Sequence, residues 1–125
     1  MAAIKKYYKI IIWIFIIAYL CFAPSDEFKK IHITIPHFDK IVHWGMFFIL
    51  GLFITAAKIK KKKIIYTIIP YAFAILYGGI IEIIQMLFIY SRNGDFFDWI
   101  ADIIGIFSAI LVFEYLPSKI KLLLS

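Results

Sequence analysis

The sequence predicts an all-α integral membrane protein, a bundle of four transmembrane helices in a single domain. Of its 125 residues, 64% are hydrophobic, and the mean hydropathy is +0.93, whereas soluble domains are about 45–50% apolar. Backbone polar groups inside a bilayer must pair within the protein, which leaves helices or a closed barrel. The apolar runs lack the alternation that a barrel strand requires, so we expect helices.

Four apolar runs are candidate spans: residues 7–23, 41–57, 64–90 and 97–116. A helix needs roughly 20 apolar residues to cross the hydrocarbon core, with a range of about 17–25. The first run follows Lys5 and Lys6 and could also be a secretory signal. We expect it to be retained, because Tyr19, Cys21 and Phe22 occupy positions where signal peptidase favours small side chains.

Lysine and arginine residues are unevenly divided between the two sides of this predicted bundle. Four lie on one side (Lys29, Lys30, Lys40 and Arg92), and ten lie on the other (Lys5, Lys6, Lys9, Lys58, Lys60, Lys61, Lys62, Lys63, Lys119 and Lys121). The side richer in lysine is expected to be cytoplasmic, together with both termini. Because the lysines cluster between apolar runs, we expect no nucleic-acid binding despite the formal charge of +6.

The acidic residues are gathered near the predicted outer face. Only Glu114 lies toward the cytoplasm, and the other seven lie outside or in the outer half of a span: Asp26, Glu27, Asp39, Glu82, Asp95, Asp98 and Asp102. Acidic residues contribute little to membrane topology. Another cause must therefore place them there.

Glu82 and Gln85 lie inside the third run, three residues apart and hence on one helical face. A carboxylate at mid-helix costs about 2.5–3.5 kcal/mol on insertion scales. An interhelical hydrogen bond contributes only about 0.6–2 kcal/mol. We therefore predict that Glu82 faces the bundle interior in a functional site, with helix packing through hydrogen bonds as the alternative.

The second helix begins with another polar group. Asp39 and His43 are four residues apart and share a face, with Lys40 beside them. An aspartate at a helix start often acts as a cap, and a lone histidine is often a packing residue. Asp39 and His43 alone are therefore weak evidence for a functional site.

The last helix opens with Asp98 and Asp102, one turn apart. Gly105, which follows them, belongs to a strip of small residues that allows close helix contact. Arg92 precedes this helix, and its guanidinium can hold a carboxylate or a phosphate bidentately. It would therefore pair with an internal carboxylate or receive a lipid headgroup.

These residues together resemble the VanZ-like family over about residues 36–109. The resemblance is carried by Asp39-Lys40-x-x-His43-x-x-x-Phe47-x-x-Leu50-Gly51, Glu82-x-x-Gln85, Arg92, Asp98 and Gly105. Asp102 and Ala109 stand where that family commonly has Asn and a second Gly. The resemblance implies a small polytopic protein of the bacterial cytoplasmic (inner) membrane and cell envelope, in a family linked to glycopeptide resistance whose biochemical activity is not settled. Nothing in this composition predicts resistance.

Two functions fit the pattern. The first is binding or modification of an anionic lipid or lipid-linked envelope component, with His43, Glu82 and Asp98 as candidate catalytic acid–base groups. The candidate binding residues are Lys40, Gln85, Arg92, Asp39 and Asp102. No hydrolase nucleophile stands out, so enzyme activity is left open. The second is a small proton-coupled transporter or ion pathway. The cytoplasmic half is nearly devoid of polar residues, so a continuous path would need a partner chain or an oligomer, for example a homo-oligomer.

The sequence predicts no metal site and no cofactor. Histidine and carboxylates near the outer face could supply nitrogen and oxygen ligands. However, there is no His-x-x-x-His pair and no second histidine inside a span. This argues against zinc and leaves Mg²⁺ or Ca²⁺ as the ions that such a group could hold.

Overall fold

The computed structural model describes residues 2–23, 36–58, 64–89 and 94–125, and within these it contains helices and no strand. We number the helices α1 (Ala2–Phe22), α2 (Phe38–Lys58), α3 (Ile65–Phe88), α4 (Phe96–Phe113) and α5 (Ser118–Leu124). The all-α prediction is thus confirmed for the described part of the chain. The short helix α5, which follows Pro117, was not predicted.

Three of these helices, α2, α3 and α4, are long and apolar enough to cross a membrane. The apolar part of α1, Tyr7–Phe22, is shorter than they are. Large apolar side chains point outward from the bundle, including Phe15 on α1, Leu76 on α3 and Leu111 on α4. Such an outward apolar surface is expected where lipid is the solvent. Three helices of the described chain thus have the length and apolar composition of membrane spans, which supports the predicted membrane character.

Helices α2 and α4 form the most closely packed pair, because small residues face each other along their contact. A methyl group built on Gly51 would lie 2.7 Å from the Cβ of Ala109, and one built on Gly105 would collide with the backbone oxygen of Trp44. Backbones approach this closely only where side chains are small. The strip of small residues on α4 therefore fixes the distance between the two helices that carry His43 and Asp102.

We expect Gly105→Ala to destabilise the protein by about 1–2 kcal/mol, since overpacking of a tight contact costs about 1–3 kcal/mol. Gly45→Ala is the matched control, because a methyl group there meets no atom within 4 Å among the described residues. It should be neutral or stabilising by up to about 1 kcal/mol, the helix preference of alanine. Cys21, the single cysteine of the sequence, is fully buried, so thiol labelling during heating in detergent reports unfolding. Equal midpoints of thermal unfolding for Gly105→Ala and Gly45→Ala would contradict this close packing of α2 and α4.

Aromatic side chains link the remaining helices through hydrogen bonds to backbone carbonyls. The bonds are Trp13 Nε1 to Met46 O at 2.8 Å, Tyr77 Oη to Ile14 O at 2.6 Å and Trp99 Nε1 to Ile75 O at 2.9 Å. In hydrocarbon a donor without a partner is costly, so each bond satisfies a polar atom as well as joining two helices. They join α1 to α2, α3 to α1, and α4 to α3.

Candidate functional site

The start of α2, the last turns of α3 and the start of α4 meet at one end of the bundle. They bring together six of the eight predicted site residues: Asp39, Lys40, His43, Glu82, Asp98 and Asp102. Of the other two, Gln85 contacts α1 instead, and Arg92 lies outside the described residues. Asp95, immediately before α4, joins the six. We call these seven residues, the six and Asp95, the polar cluster.

One half of the polar cluster surrounds Lys40. Its ammonium nitrogen lies 2.8 Å from Asp95 Oδ2, 3.0 Å from Asp98 Oδ1 and 3.2 Å from Asp39 Oδ2. An ammonium group has three donors, so these carboxylates can occupy all of them. The side chain of Lys40 is 26% exposed and that of Asp98 only 8%. The positive charge of Lys40 is thus used inside the protein, and its role in binding a ligand stays a prediction.

Asp95 is the site residue that the sequence argument missed. Its Oδ1 accepts the Phe97 N–H at 2.9 Å, which caps the start of α4. Its own backbone N–H donates to Glu82 Oε2 at 3.0 Å. The hydrogen bond from Lys40 lowers the pKa of Asp95 below its ordinary value. An aspartate directly before an apolar helix is a capping signal, and that signal could have identified this position.

The other half of the polar cluster is a buried triad, His43, Glu82 and Asp102. His43 Nδ1 lies 3.0 Å from Asp102 Oδ1 and 3.6 Å from Glu82 Oε1. The three residues are 4%, 5% and 0% exposed, respectively. Glu82 thus faces the bundle interior next to His43, as the cost of burying a carboxylate in a membrane predicts.

Two carboxylate oxygens of the triad, Glu82 Oε1 and Asp102 Oδ2, have no hydrogen-bond partner among the described residues. Gly78 on α3 makes room for the second of them. A methyl group at Gly78 would lie 2.7 Å from Asp102 Oδ2, a contact that no side chain could tolerate without displacing the carboxylate. The glycine therefore allows Asp102 to lie between α2 and α3.

Gln85 lies one turn after Glu82 and points toward α1. Its Nε2 donates to the backbone carbonyl of Cys21 at 2.7 Å. Carbonyls in the last turn of a helix lack an intrahelical donor, so Gln85 satisfies the end of α1 and holds it against α3. This contact gives Gln85 a positioning role, and its predicted contact with a ligand stays a prediction.

An apolar groove of about 350 Å³ runs along the outside of α3 and α4 and reaches the polar cluster. It is lined by Leu76, Gly79, Ile80, Glu82, Ile83, Met86, Phe96 and Trp99. Among these residues Glu82 is the one carboxylate. Glu82 therefore belongs both to the buried triad and to the wall of the groove.

A second cavity, of about 430 Å³, lies among α1, α2 and α3 toward their opposite ends. Its lining consists of Tyr7, Ile10, Ile14, Leu50, Ile54, Ala57, Tyr66, Ile69, Pro70, Phe73 and Ala74. This lining contains no acidic or basic side chain, whereas proton and ion pathways are commonly lined by ionisable residues. The described residues thus give the polar cluster no charged continuation across the bundle.

Comparison with protein-family models, with curated proteins and with solved structures finds no match to this chain. The resemblance to the VanZ-like family accordingly rests on the residues quoted above. Chemically, the described polar cluster combines five carboxylates with one ammonium group and one imidazole. Such an arrangement can take up protons or cations, and it can exchange protons through His43, whose ordinary pKa is near neutrality.

Proposed function

We propose that this chain is a VanZ-like, four-span protein of the bacterial cytoplasmic membrane that binds an anionic lipid or lipid-linked envelope component at its outer end. The observation that carries the proposal is the double position of Glu82. Its carboxylate lies 3.6 Å from His43, and its side chain lines the apolar groove between α3 and α4. A polar site and an apolar groove that meet at one residue suit an amphipathic ligand.

The groove faces the region where lipid tails would be. Its walls include Ile80, Ile83 and Met86, which are all exposed on the outside of α3. Ligand pockets are typically about 300–1,000 Å³ and mostly apolar, so the groove can accept part of one tail. A tail in this groove would place its headgroup near the end of α3 and the start of α4, beside Asp95 and Glu82.

The headgroup must meet a positive charge, because the described polar cluster carries an excess of carboxylates. Lys40 is already surrounded by three of them. Arg92, which lies in the sequence between α3 and α4, is the remaining candidate, since a guanidinium binds phosphate bidentately. A cation held by the carboxylates would serve the same purpose.

In the proposed arrangement α1 is the fourth span. Its apolar part, Tyr7–Phe22, is about 24 Å long at 1.5 Å per residue, which is shorter than the roughly 30 Å hydrocarbon core. A bilayer that thins locally accommodates a span of this length. Trp13 and Tyr77 bond α1 to its neighbours, as expected of a helix that belongs to the bundle.

The orientation is tested with reporter fusions. A reporter after Ser125 or within residues 58–63 should be active only in the cytoplasm, and one within residues 25–30 should be active only outside. The expectation follows from the ten-to-four division of lysine and arginine and the positive-inside rule. An external signal at residues 58–63 would invert the protein and place the polar cluster in the cytoplasmic leaflet.

Lipid binding is tested with the purified protein in detergent by native mass spectrometry. We expect phosphatidylglycerol or a polyprenyl phosphate to be retained at least about tenfold more tightly than phosphatidylcholine, since a single charge-assisted contact of about 1.4 kcal/mol accounts for that ratio. Ile83→Trp should weaken retention because it fills the groove. The matched control is Ile68→Trp on the same helix, which is similarly exposed, at 54% against 57%, and lies outside the groove lining. Equal retention by both variants, or of both lipid types, would contradict the proposal.

A further inference from the structure

We propose that His43, Glu82 and Asp102 bind one divalent cation of the mixed nitrogen and oxygen class, Zn²⁺ in preference to Mn²⁺. The inference goes beyond the proposed lipid function and does not depend on it. The sequence predicted no metal, because it contains no closely spaced pair of histidines. The three ligands come instead from three different helices, α2, α3 and α4, where no local pattern could show them.

The distances within the buried triad suit a shared cation. One ligand atom from each residue lies within 4.8 Å of the other two. His43 Nδ1 lies 3.0 Å from Asp102 Oδ1 and 3.6 Å from Glu82 Oε1. Two ligands about 2.0–2.2 Å from one metal ion, at octahedral or tetrahedral angles, are about 2.9–3.6 Å apart. Both separations from the imidazole nitrogen are therefore close to the values that coordination requires.

The unpaired oxygens provide a separate indication that a ligand is needed. Glu82 Oε1 and Asp102 Oδ2 belong to side chains that are at least nine-tenths buried, and neither has a hydrogen-bond partner among the described residues. Leaving a buried acceptor unpaired costs about 1–3 kcal/mol, and more when it is charged. A cation coordinated by Glu82 Oε1 and by both carboxylate oxygens of Asp102 would satisfy the two unpaired atoms without any additional donor.

Charge distinguishes the triad from the neighbouring acidic group. Asp39, Asp95 and Asp98 also lie close enough together to hold a metal ion, but Lys40 already lies among them. The triad has no lysine or arginine contact among the described residues. Two carboxylates and a neutral imidazole carry a charge of −2, which a divalent cation neutralises.

The ligand types select the cation. Imidazole nitrogen suits Zn²⁺ and related transition metals, whereas Mg²⁺ and Ca²⁺ favour oxygen ligands alone. Like catalytic zinc sites, the triad offers three protein ligands and leaves a fourth position open for water or a ligand. The rival arrangement is a protonated His43 shared between the two carboxylates, with no metal ion at all.

The test is metal analysis of the purified protein, carrying an affinity tag without histidine, after treatment with a chelator and titration with Zn²⁺, Mn²⁺ or Ca²⁺. We expect about one Zn²⁺ per chain, bound at least about 100-fold more tightly than Ca²⁺. Glu82→Gln and Asp102→Asn should each weaken Zn²⁺ binding at least about tenfold. Glu114→Gln, the same change at an exposed carboxylate near the other end of α4, should not.

Two further measurements keep the result decisive. X-ray absorption of the zinc-loaded protein should show one imidazole nitrogen among oxygen ligands. This measurement uses the unaltered protein, so its result does not depend on whether a variant folds. Ile83→Trp should keep its Zn²⁺ even where it loses lipid, so that failure of the lipid proposal is distinguishable from failure of this one. Absence of Zn²⁺ binding by the unaltered protein, or equal binding by Glu82→Gln and Glu114→Gln, would overturn the site in favour of the shared proton.

Discussion

Lys40→Met should destabilise the protein by about 2–3 kcal/mol, somewhat less than the roughly 3–5 kcal/mol lost when a fully buried ion pair loses one partner. The reduction reflects the 26% exposure of the Lys40 side chain. Without its ammonium group, Asp98 would remain buried beside Asp39 and Asp95 with no positive charge among them. Repulsion among three carboxylates would then add to the cost of desolvating Asp98.

The double variant Lys40→Met with Asp98→Asn tests this explanation. It removes the most buried carboxylate together with the cation, so it should recover about half or more of the lost stability, as expected for two residues in one ion-pair network. Lys119→Met, the same change at an exposed lysine, should alter stability by less than about 0.5 kcal/mol. Thermal labelling of Cys21 provides the measurement. A Lys40→Met variant as stable as Lys119→Met would show that the carboxylates around Lys40 need no cation.

Much of the site could be predicted from the sequence, because the helical period fixes which side chains share a face. The cost of placing Glu82 in hydrocarbon correctly predicted that it faces the bundle interior. Helical spacing placed His43 on the face of Asp39, and Asp102 on the face of Asp98. The periodicity does not reveal how each helix is rotated against its neighbours. For that reason, the sequence could not show that His43 contacts Asp102 rather than Asp39.

The roles of Lys40 and Gln85 illustrate the same limit. Lys40 was assigned to a ligand because it lies at the start of the second predicted helix, and Gln85 because it shares a helical face with Glu82. The structure shows that Lys40 lies among three carboxylates and that Gln85 bonds the end of α1. The polar partners of these side chains lie far away in the sequence. Asp95, for example, which accepts a hydrogen bond from Lys40, is 55 residues away from it. Local patterns carry no information about such contacts.

The end of the last predicted span, residues 97–116, shows where composition alone misleads. The apolar run was predicted to continue to residue 116, but α4 ends at Phe113 and Pro117 precedes the separate helix α5. Proline disfavours the helical conformation of the residue before it, so the chain turns between Glu114 and Pro117 although Tyr115 and Leu116 are apolar. Lys121, on α5, donates to the backbone carbonyl of Glu114 at 2.8 Å, which satisfies an acceptor left unpaired at the end of α4.

Glu82→Gln and Arg92→Ala should each abolish the function of the protein in cells while leaving its amount in the membrane nearly unchanged. Glutamine keeps the size of Glu82 and can still accept the Asp95 N–H, but it cannot carry a charge or exchange a proton. A purely structural Glu82 should tolerate this change, whereas a metal-binding or proton-exchanging Glu82 should not. Arg92 is the single arginine of the sequence, so no other guanidinium can replace it.

The readout is the lipid and envelope-precursor profile of cells that carry the gene, lack it, or express each variant. We expect the profile of cells with either variant to match that of cells without the gene. The difference that the unaltered protein makes to the profile should fall at least about tenfold, because each variant removes a charged contact of about 1.4 kcal/mol or more. Substituting glutamine for any one lysine within residues 58–63 should leave the profile unchanged at normal membrane levels, since the remaining lysines still set the topology and none of them is proposed to bind a ligand. Membrane-inserted protein must be quantified alongside the profile. If Glu82→Gln retains full effect at normal abundance, Glu82 has no chemical role. If the variant disappears from the membrane instead, the ionisable carboxyl group of Glu82 is required for the stability of the bundle.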